Sequence, residues 1–202
     1  MKDYVTVDLE TSGFSPTNNE ILEIGAVKVK GGVVTDKFSS IIKPLGYVGR
    51  NIYDITGITK DELDNGEPCE DVILEFFDFC GDLPFLGYNL GFDYRFLVEK
   101  GKHFGVDFSL HKLRKGIDAM ALAKKLVTAE NYKQITIATE LGIPLEGVRL
   151  HRALDDALIC KMIYERFQIL HSGVYGVERA DYLDKDAMKY GGIVDDKELD
   201  FK

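Results

Sequence analysis

Tryptophan is absent from the 202 residues, cysteine occurs only three times and proline only five times. Cys69, Cys80 and Cys160 are odd in number and widely spaced, so the sequence indicates neither a disulfide framework nor a structural zinc site. No apolar run approaches the roughly 18–20 residues that cross a bilayer, and Met1 leads into a charged, strand-like segment rather than a signal peptide. A reduced, cytoplasmic protein without membrane association is therefore expected.

Basic residues are also few relative to acidic ones. The chain carries 25 lysines and arginines against 34 aspartates and glutamates, a formal net charge of −9. This balance argues against tight, sequence-independent binding of duplex nucleic acid. It does not exclude a small site in which divalent cations reverse the local field and hold a few nucleotides.

The hydrophobic pattern predicts three strands first, and then helices that alternate with short strands. This order is typical of a mixed α/β layer fold. The predicted strands span 4–9, 20–30, 33–42 and 84–88, and the predicted helices span 69–79, 92–100, 118–126, 134–141 and 152–170. The segment 52–57 is predicted to be a loop, and Thr59 to Glu62 has the spacing of a capping box. We assign residues 1–171 to one domain and 172–202 to a loosely ordered or partner-binding extension.

Two acidic residues lie two positions apart on the first predicted strand. Asp8 and Glu10 must therefore point to the same face of the sheet. Adjacent carboxylates repel each other, and hard cations such as Mg²⁺ relieve that repulsion through oxygen ligands. A solvated strand end with two surface acids explains the pair equally simply.

Two further segments carry polar groups next to predicted helices. Asp93 follows a buried strand at the start of one helix, where an acid also complements the helix dipole, and Asn89 could simply form the turn. His151 precedes the last helix and Asp156 lies in its first turns. Asp155 points about 100° away from Asp156 around the helix axis. A polar capping region would account for His151 and Asp156 without any chemistry.

Taken together, the three segments resemble the motifs of a known family. Asp8-Leu-Glu10-Thr11, Asn89 with Phe92-Asp93, and His151-x-Ala153-x-x-Asp156 resemble those of the DEDDh 3′→5′ exonucleases of the ribonuclease T superfamily. That family includes the proofreading epsilon subunit and the PolC exonuclease domain of bacterial DNA polymerase III. The resemblance extends from about Tyr4 to His171. Two positions depart from the family pattern: Tyr88 stands where His is frequent, and Lys133-Gln-Ile-Thr lacks a usual Leu.

The resemblance implies a ribonuclease H-like fold, with a mixed central sheet whose first three strands are antiparallel, flanked by helices. It implies two divalent cations, Mg²⁺ or Mn²⁺, as cofactors, and His151 as the general base. The four residues implied as metal ligands, which are catalytic together with His151, are Asp8, Glu10, Asp93 and Asp156. The expected reaction releases nucleoside 5′-monophosphates from the 3′ end of a single strand, DNA or RNA, in proofreading or repair.

By the same resemblance, four residues are expected to contact the substrate: Leu9, Thr11, Ile58 and Asn89. Ile58 would act as a wedge near the last bases. Phe14 and Tyr88 could stack on bases, although buried aromatic residues are commoner. A basic run of His111, Lys112, Arg114 and Lys115 could guide phosphates or form a solvated loop.

Three alternatives to a DNA exonuclease follow from the same residues. One is an exoribonuclease of the same family, since the contact to a 2′-hydroxyl cannot be read from the sequence. Another is a non-catalytic module that docks onto a DNA polymerase. The last is a hydrolase of small phosphate monoesters with the same metals. The expected partners are the 3′ end of a single-stranded nucleic acid and, as a candidate, a DNA polymerase.

Overall fold

The computed structural model describes residues 3–108 and 116–175, with side chains described as far as Leu170. The basic run His111, Lys112, Arg114 and Lys115 lies outside the described residues, as does the predicted extension from residue 176 onward. Among the described helices, none combines the length and the apolar character that a bilayer crossing requires.

Five strands form one mixed sheet in the order β3-β2-β1-β4-β5. The strands are β1 (Tyr4–Thr11), β2 (Ile21–Lys30), β3 (Val33–Ile41), β4 (Phe85–Gly87) and β5 (Ile117–Asp118). The first three strands pair antiparallel, whereas β4 pairs parallel with both β1 and β5. The predicted α/β class and the antiparallel pairing of the first three strands are therefore confirmed.

Seven described helices cover and flank the sheet. They are α1 (Arg50–Thr56), α2 (Lys60–Asp64), α3 (Cys69–Cys80), α4 (Leu90–His103), α5 (Ala119–Leu126), α6 (Gln134–Glu140) and α7 (Ala153–Tyr175). The predicted capping box is present at α2, where Thr59 and Glu62 exchange hydrogen bonds with each other's backbone N–H groups. The last helix begins directly after the third motif's histidine and its neighbour, as predicted.

One prediction of local structure is wrong. The segment expected to be a loop at 52–57 forms most of α1, which ends at Gly57 in the left-handed region with φ 67°. A helix of seven residues is not stable by itself in water. Here Ile52 and Tyr53 pack against a small apolar cluster that includes Leu22 and Ile58. The contact with Leu22 comes from a distant segment, β2, so the local sequence pattern did not indicate the helix.

The sheet separates two hydrophobic cores. On β1, Val5, Val7 and Leu9 pack on the side of α3 and α4, whereas Tyr4 packs on the side of α5, α6 and α7. Side chains alternate along a strand, so Asp8 continues the face of Tyr4. The first motif therefore points toward the side of the sheet that carries the last helix.

Candidate active site

The carboxylates of the first motif lie at the carboxyl-terminal end of β1. In the antiparallel pairing with β2, Asp8 lies opposite Gly25 and Glu10 lies opposite Glu23. Residues directly opposite each other share a face, so Asp8, Glu10 and Glu23 form one acidic cluster on the side of α7.

Gly25 explains how α7 reaches this cluster. A Cβ atom at this position would lie 2.0 Å from the backbone nitrogen of Leu154 and 2.1 Å from the carbonyl carbon of Ala153. Only a residue without a side chain lets the helix start approach β2 this closely. Because Gly25 lies opposite Asp8, the first turn of α7 carries Asp156 to the first motif.

Asp93 arrives from the other side of the sheet. The short strand β4 pairs with Val5 and Thr6, and beyond them no strand in the described part of the chain pairs with that edge of β1. The N–H of Leu9 donates instead to Oδ1 of Asp93, at 3.1 Å. This bond ties the buried carboxylate of the second motif directly to the backbone between Asp8 and Glu10.

His151 lies just before α7 in an uncommon backbone conformation. Its φ of 59° falls in the left-handed region, and its N–H donates to Oδ2 of Asp156 at 3.1 Å. Ligand atoms of Glu10, His151 and Asp156 all lie within 4.8 Å of one another. The neighbouring Asp155 turns away and accepts a hydrogen bond from the N–H of Arg149 at 3.1 Å.

Burial and mutual repulsion make the four acids candidates for a cation site. Burial, followed by repulsion from the neighbouring carboxylates, raises the pKa of Asp8 well above its usual value and that of Glu10 to about 8. Burial also raises the pKa of Asp93 well above its usual value and that of Asp156 to about 6. Such a set of oxygen donors suits a hard divalent cation, which would hold the acids in their ionised form.

A buried ion pair secures the segment that carries the third motif. The guanidinium of Arg152 donates from Nε and Nη2 to both carboxylate oxygens of Glu23, at 3.1–3.2 Å. The N–H of Ala153 donates to the same carboxylate at 3.2 Å. Arg152 also lies 3.3 Å from Glu62 on α2. We call the ion pair between Arg152 and Glu23 the clamp. It fixes the two neighbours of Arg152, His151 and Ala153, relative to β2.

An open cleft of about 1070 Å³ contains the four acids and His151. Leu9, Asn89, Phe14 and Tyr88 line the same cleft, and their contact with a substrate stays a prediction. Phe14 is 90% exposed, and its ring meets that of Phe92 edge to face at 6.4 Å between centroids. Aromatic surface is thus available beside the acids.

The other two expected substrate contacts lie elsewhere. Thr11 is half-buried and donates its hydroxyl to the carbonyl of Gly13 at 2.7 Å, outside the cleft lining. Ile58 is 1% exposed and packs with Val48 and Leu63 beside a separate cavity of about 730 Å³. The structure does not bring Ile58 to the four acids, so its role as a wedge stays a prediction.

Sequence reasoning missed several residues that shape the site. Glu23 is 1% exposed in the apolar first part of β2, and an acid at such a position requires a partner. An acid in an apolar stretch of a strand could therefore have indicated a buried ion pair, here the one with Arg152. Asp118 precedes α5 and accepts from the N–H groups of Met120 and Asn89, at 2.9 Å and 3.1 Å. Its position before a run of apolar residues is the usual sign of an N-cap.

Comparison with known proteins agrees with this geometry. A family model described as exonuclease, of the RNase T type, matches residues 5–164. The chain belongs to this exonuclease family, whose members are metal-dependent nucleases. The predicted membership of the DEDDh 3′→5′ exonucleases is confirmed.

Two relatives illustrate the range of proteins that carry this domain. The chain is 40% identical over 165 residues to the PolC-type DNA polymerase III of Thermotoga maritima, covering 81% of this chain and 12% of that protein. It is 32% identical over 163 residues to the DNA polymerase III subunit epsilon of Aquifex aeolicus, covering 80% of this chain and 78% of that subunit. The chain thus spans only a small part of the PolC-type relatives that it resembles.

Solved structures confirm the expected ribonuclease H-like fold. The zinc-bound complex of Escherichia coli exonuclease I with single-stranded DNA superimposes with a TM-score of 0.76 at 17% identity, covering 92% of this chain and 43% of that one. The complex of the same enzyme with a dA16 oligonucleotide gives a TM-score of 0.71 at 15% identity, covering 84% and 41%.

Proposed function

We propose that the chain hydrolyses the terminal phosphodiester at the 3′ end of single-stranded DNA and releases nucleoside 5′-monophosphates. The observation that carries the proposal is the convergence of Asp8, Glu10, Asp93 and Asp156 with His151 in one open cleft. Hydrolysis at phosphorus needs positioning and charge neutralisation rather than a covalent nucleophile, and the described residues that line this cleft include no serine or cysteine.

The four carboxylates would hold two divalent cations, Mg²⁺ or Mn²⁺. Burial, followed by repulsion from neighbouring carboxylates, raises the pKa of Asp8 and of Glu10, and oxygen donors suit these ions. When bound, the ions supply Lewis acidity that neutralises charge on the phosphoryl oxygens. The hydrogen bond from Leu9 to Asp93 and the one from His151 to Asp156 keep two of the carboxylates oriented toward that position.

His151 is the proposed general base. Its ring is exposed to the cleft and a ring nitrogen lies within 4.8 Å of carboxylate oxygens of Glu10 and Asp156. An imidazole titrates near neutral pH and can accept the proton of the attacking water. The clamp between Arg152 and Glu23 would hold the histidine in place through its neighbouring residue.

Contacts to the terminal nucleotide would come from the rest of the cleft. Leu9 and the exposed ring of Phe14 offer apolar surface for a base, and stacking of this kind contributes about 1–3 kcal/mol per base. Asn89 has its N–H engaged with Asp118 at 3.1 Å, which fixes the turn that presents its side chain. Thr11 and Ile58 would contribute only if the strand extends beyond the cleft.

A DNA polymerase is the proposed partner. The relatives named as PolC-type DNA polymerase III and as subunit epsilon support this partner, and the exonuclease I complexes with single-stranded DNA support the substrate. A polymerase would deliver the 3′ end to the cleft, and the small site would need little affinity of its own for duplex.

The test is a time course on a 5′-labelled single-stranded DNA oligomer, with Mg²⁺, Mn²⁺ or EDTA, beside the matched RNA. We expect a metal-dependent ladder that shortens from the 3′ end, with nucleoside 5′-monophosphates as products. Preferential shortening of RNA would redirect the proposal to an exoribonuclease. No cleavage of either strand with any metal would overturn it and favour the docking module.

A further inference from the structure

A second part of the cleft lining comes from α5, α6 and the loop 127–133 between them. We call Lys124, Asn131, Tyr132, Lys133 and Gln134 the α5–α6 wall; all five line the cleft. Both lysines are exposed, and neither forms an ion pair with a carboxylate in the described parts of the chain. Two positive charges therefore face the cleft of a chain whose net charge is −9.

Asn131 adds a directed hydrogen-bond donor to this wall. Its Oδ1 accepts from the N–H of Lys133 at 3.0 Å and from the hydroxyl of Thr136 at 2.8 Å. A backbone N–H can only donate, so the oxygen of the amide is fixed on this side. The amide nitrogen of Asn131 is consequently left to donate elsewhere, and no described residue accepts from it.

Hydrogen bonds hold the loop 127–133 in place near both of its ends. The hydroxyl of Tyr132 donates to the carbonyl of Val127 at 3.1 Å, across the loop. The hydroxyl of Tyr88, at the end of β4, donates to the carbonyl of Tyr132 at 2.8 Å. Gln134 donates from Nε2 to the carbonyl of Asp156 at 2.6 Å, which joins the wall to the first turn of α7. Tyr88, which departs from the family pattern, and Gln134, which lies in the segment that lacks a usual Leu, thus both fix this wall.

We propose that Lys124, Asn131 and Lys133 bind the sugar-phosphate backbone on the 5′ side of the scissile bond. The proposal rests on the proposed function and specifies how the DNA strand is bound in that site. Phosphates next to the terminal one are repelled by the carboxylates and need cations beyond the metal position. Lysine ammonium groups and an amide N–H supply that contact without reading the base.

The experiment compares two substrates in Mg²⁺: a single-stranded oligothymidylate and the p-nitrophenyl ester of thymidine 5′-monophosphate. The ester contains only the scissile phosphodiester, so it cannot use a contact to a neighbouring phosphate. The variants are Lys133→Ala, Lys124→Ala, their double and Asn131→Asp, which keeps the oxygen that accepts from Lys133 and Thr136. Lys125→Ala is the control, since it removes the same charge from α5 outside the cleft lining.

We expect each lysine variant to lower the ratio of kcat/KM on the oligonucleotide to that on the ester by roughly two- to fivefold. The slope of log KM against log salt on the oligonucleotide should fall by about 0.7 for each phosphate that the variant no longer binds. Asn131→Asp should lower the ratio as well, because a carboxylate repels phosphate. Lys125→Ala should change neither quantity.

Three results would overturn the proposal in different ways. If the native protein cleaves both substrates, and the double variant keeps the native ratio and salt slope, the wall does not bind the backbone. Equal reductions of kcat/KM on the ester and the oligonucleotide would likewise assign these residues to the reacting phosphate or to folding. If the native protein cleaves neither substrate, the proposed function itself fails, and this proposal fails with it.

Discussion

The carboxylate part of the cleft and the α5–α6 wall are held by different kinds of contact. Asp93 is fixed by a residue 84 positions away, and the N–H of Ala153 binds Glu23 across 130 positions. Inside the wall, the bonds from Tyr132 to Val127 and from Thr136 to Asn131 span five positions each. Two longer bonds, from Tyr88 to Tyr132 and from Gln134 to Asp156, join the wall to the rest of the cleft. Long-range contacts thus dominate around the acids, whereas the wall combines local bonds with two tertiary ones. The first part is therefore expected to govern the reaction and the second to govern how the strand is held.

The largest expected effect separates two adjacent acids of α7. Asp156→Asn should lower kcat by at least the order of 10³-fold, because it removes an oxygen donor from the proposed cation site. Asp155→Asn should keep near-native turnover, since its carboxylate faces Arg149 instead. The check is kcat on the labelled oligomer, with circular dichroism to confirm folding. Equal activity of the two variants would refute the assignment of the third motif.

Replacement of His151 tests the base separately from the cations. His151→Asn should lower kcat on the order of 10²-fold and change KM little, because a general base acts in the transition state. Asparagine tolerates the left-handed backbone that this position adopts at φ 59°, so the fold should survive. Steady-state kinetics on the oligomer provide the measurement. A raised KM at native kcat would show that the imidazole binds substrate rather than accepting a proton.

The clamp on α7 should affect stability more than chemistry. Glu23→Gln should lower the free energy of unfolding by about 3 kcal/mol, because Arg152 loses its buried ionised partner and keeps only the more exposed Glu62. Glu62→Gln is the matched control: it removes only the exposed contact to Arg152 and keeps a residue that suits a capping box. Glu62→Gln should lower the free energy of unfolding by less than about 1 kcal/mol. Urea unfolding curves measure both, and equal destabilisation would contradict the buried clamp.

This contrast also explains what the sequence could predict. The three motifs identified Asp8, Glu10, Asp93, Asp156 and His151 because their chemistry restricts the residue types at fixed local spacings. Glu23, although detectable as a buried acid, finds its partner only through the close approach of α7 to Gly25. The α5–α6 wall was not predicted because a lysine or asparagine in a loop has no distinctive spacing. The hydrogen bond from Tyr88 to the carbonyl of Tyr132, which joins the wall to the end of β4, is likewise a tertiary contact that no local spacing indicates.

When the metal is removed, the acids of the cleft should make the stability of the fold depend on pH. The pKa of Glu10 is raised from 4.5 to about 8 and that of Asp156 from 3.8 to about 6. The folded chain therefore binds these protons more tightly than the unfolded chain, and its stability falls as pH rises from about 4 to 8. In EDTA, Tm should decrease over this window, by about 2–4 °C for each kcal/mol of reduced stability.

In EDTA, Glu10→Gln should make Tm fall less steeply with rising pH, because the amide cannot ionise. In the native protein, Mg²⁺ should also make Tm fall less steeply, because it compensates the charge of the ionised acids. Glu165→Gln on α7 serves as the control, since that acid pairs with Lys161 at 2.7 Å outside the cleft. Thermal scans at several pH values test all three. A Tm that rises with pH in EDTA would show that the acids are not strained by burial and mutual repulsion.

The smallest expected effect concerns Tyr88, where the two parts of the cleft meet. Tyr88→Phe removes only the hydroxyl that donates to the carbonyl of Tyr132, a bond of the kind that contributes about 0.5–1.5 kcal/mol. KM on the oligonucleotide should rise roughly two- to fivefold, with less change in kcat. The reason is that the wall loses a hydrogen bond that holds it in place, whereas the four acids keep their own contacts. Tyr132→Phe, which removes the bond to Val127 within the loop, should shift KM in the same direction. A drop in kcat without a change in KM would instead place Tyr88 with the reacting carboxylates, and the division between a rigid chemical part and an adaptable binding part would no longer hold.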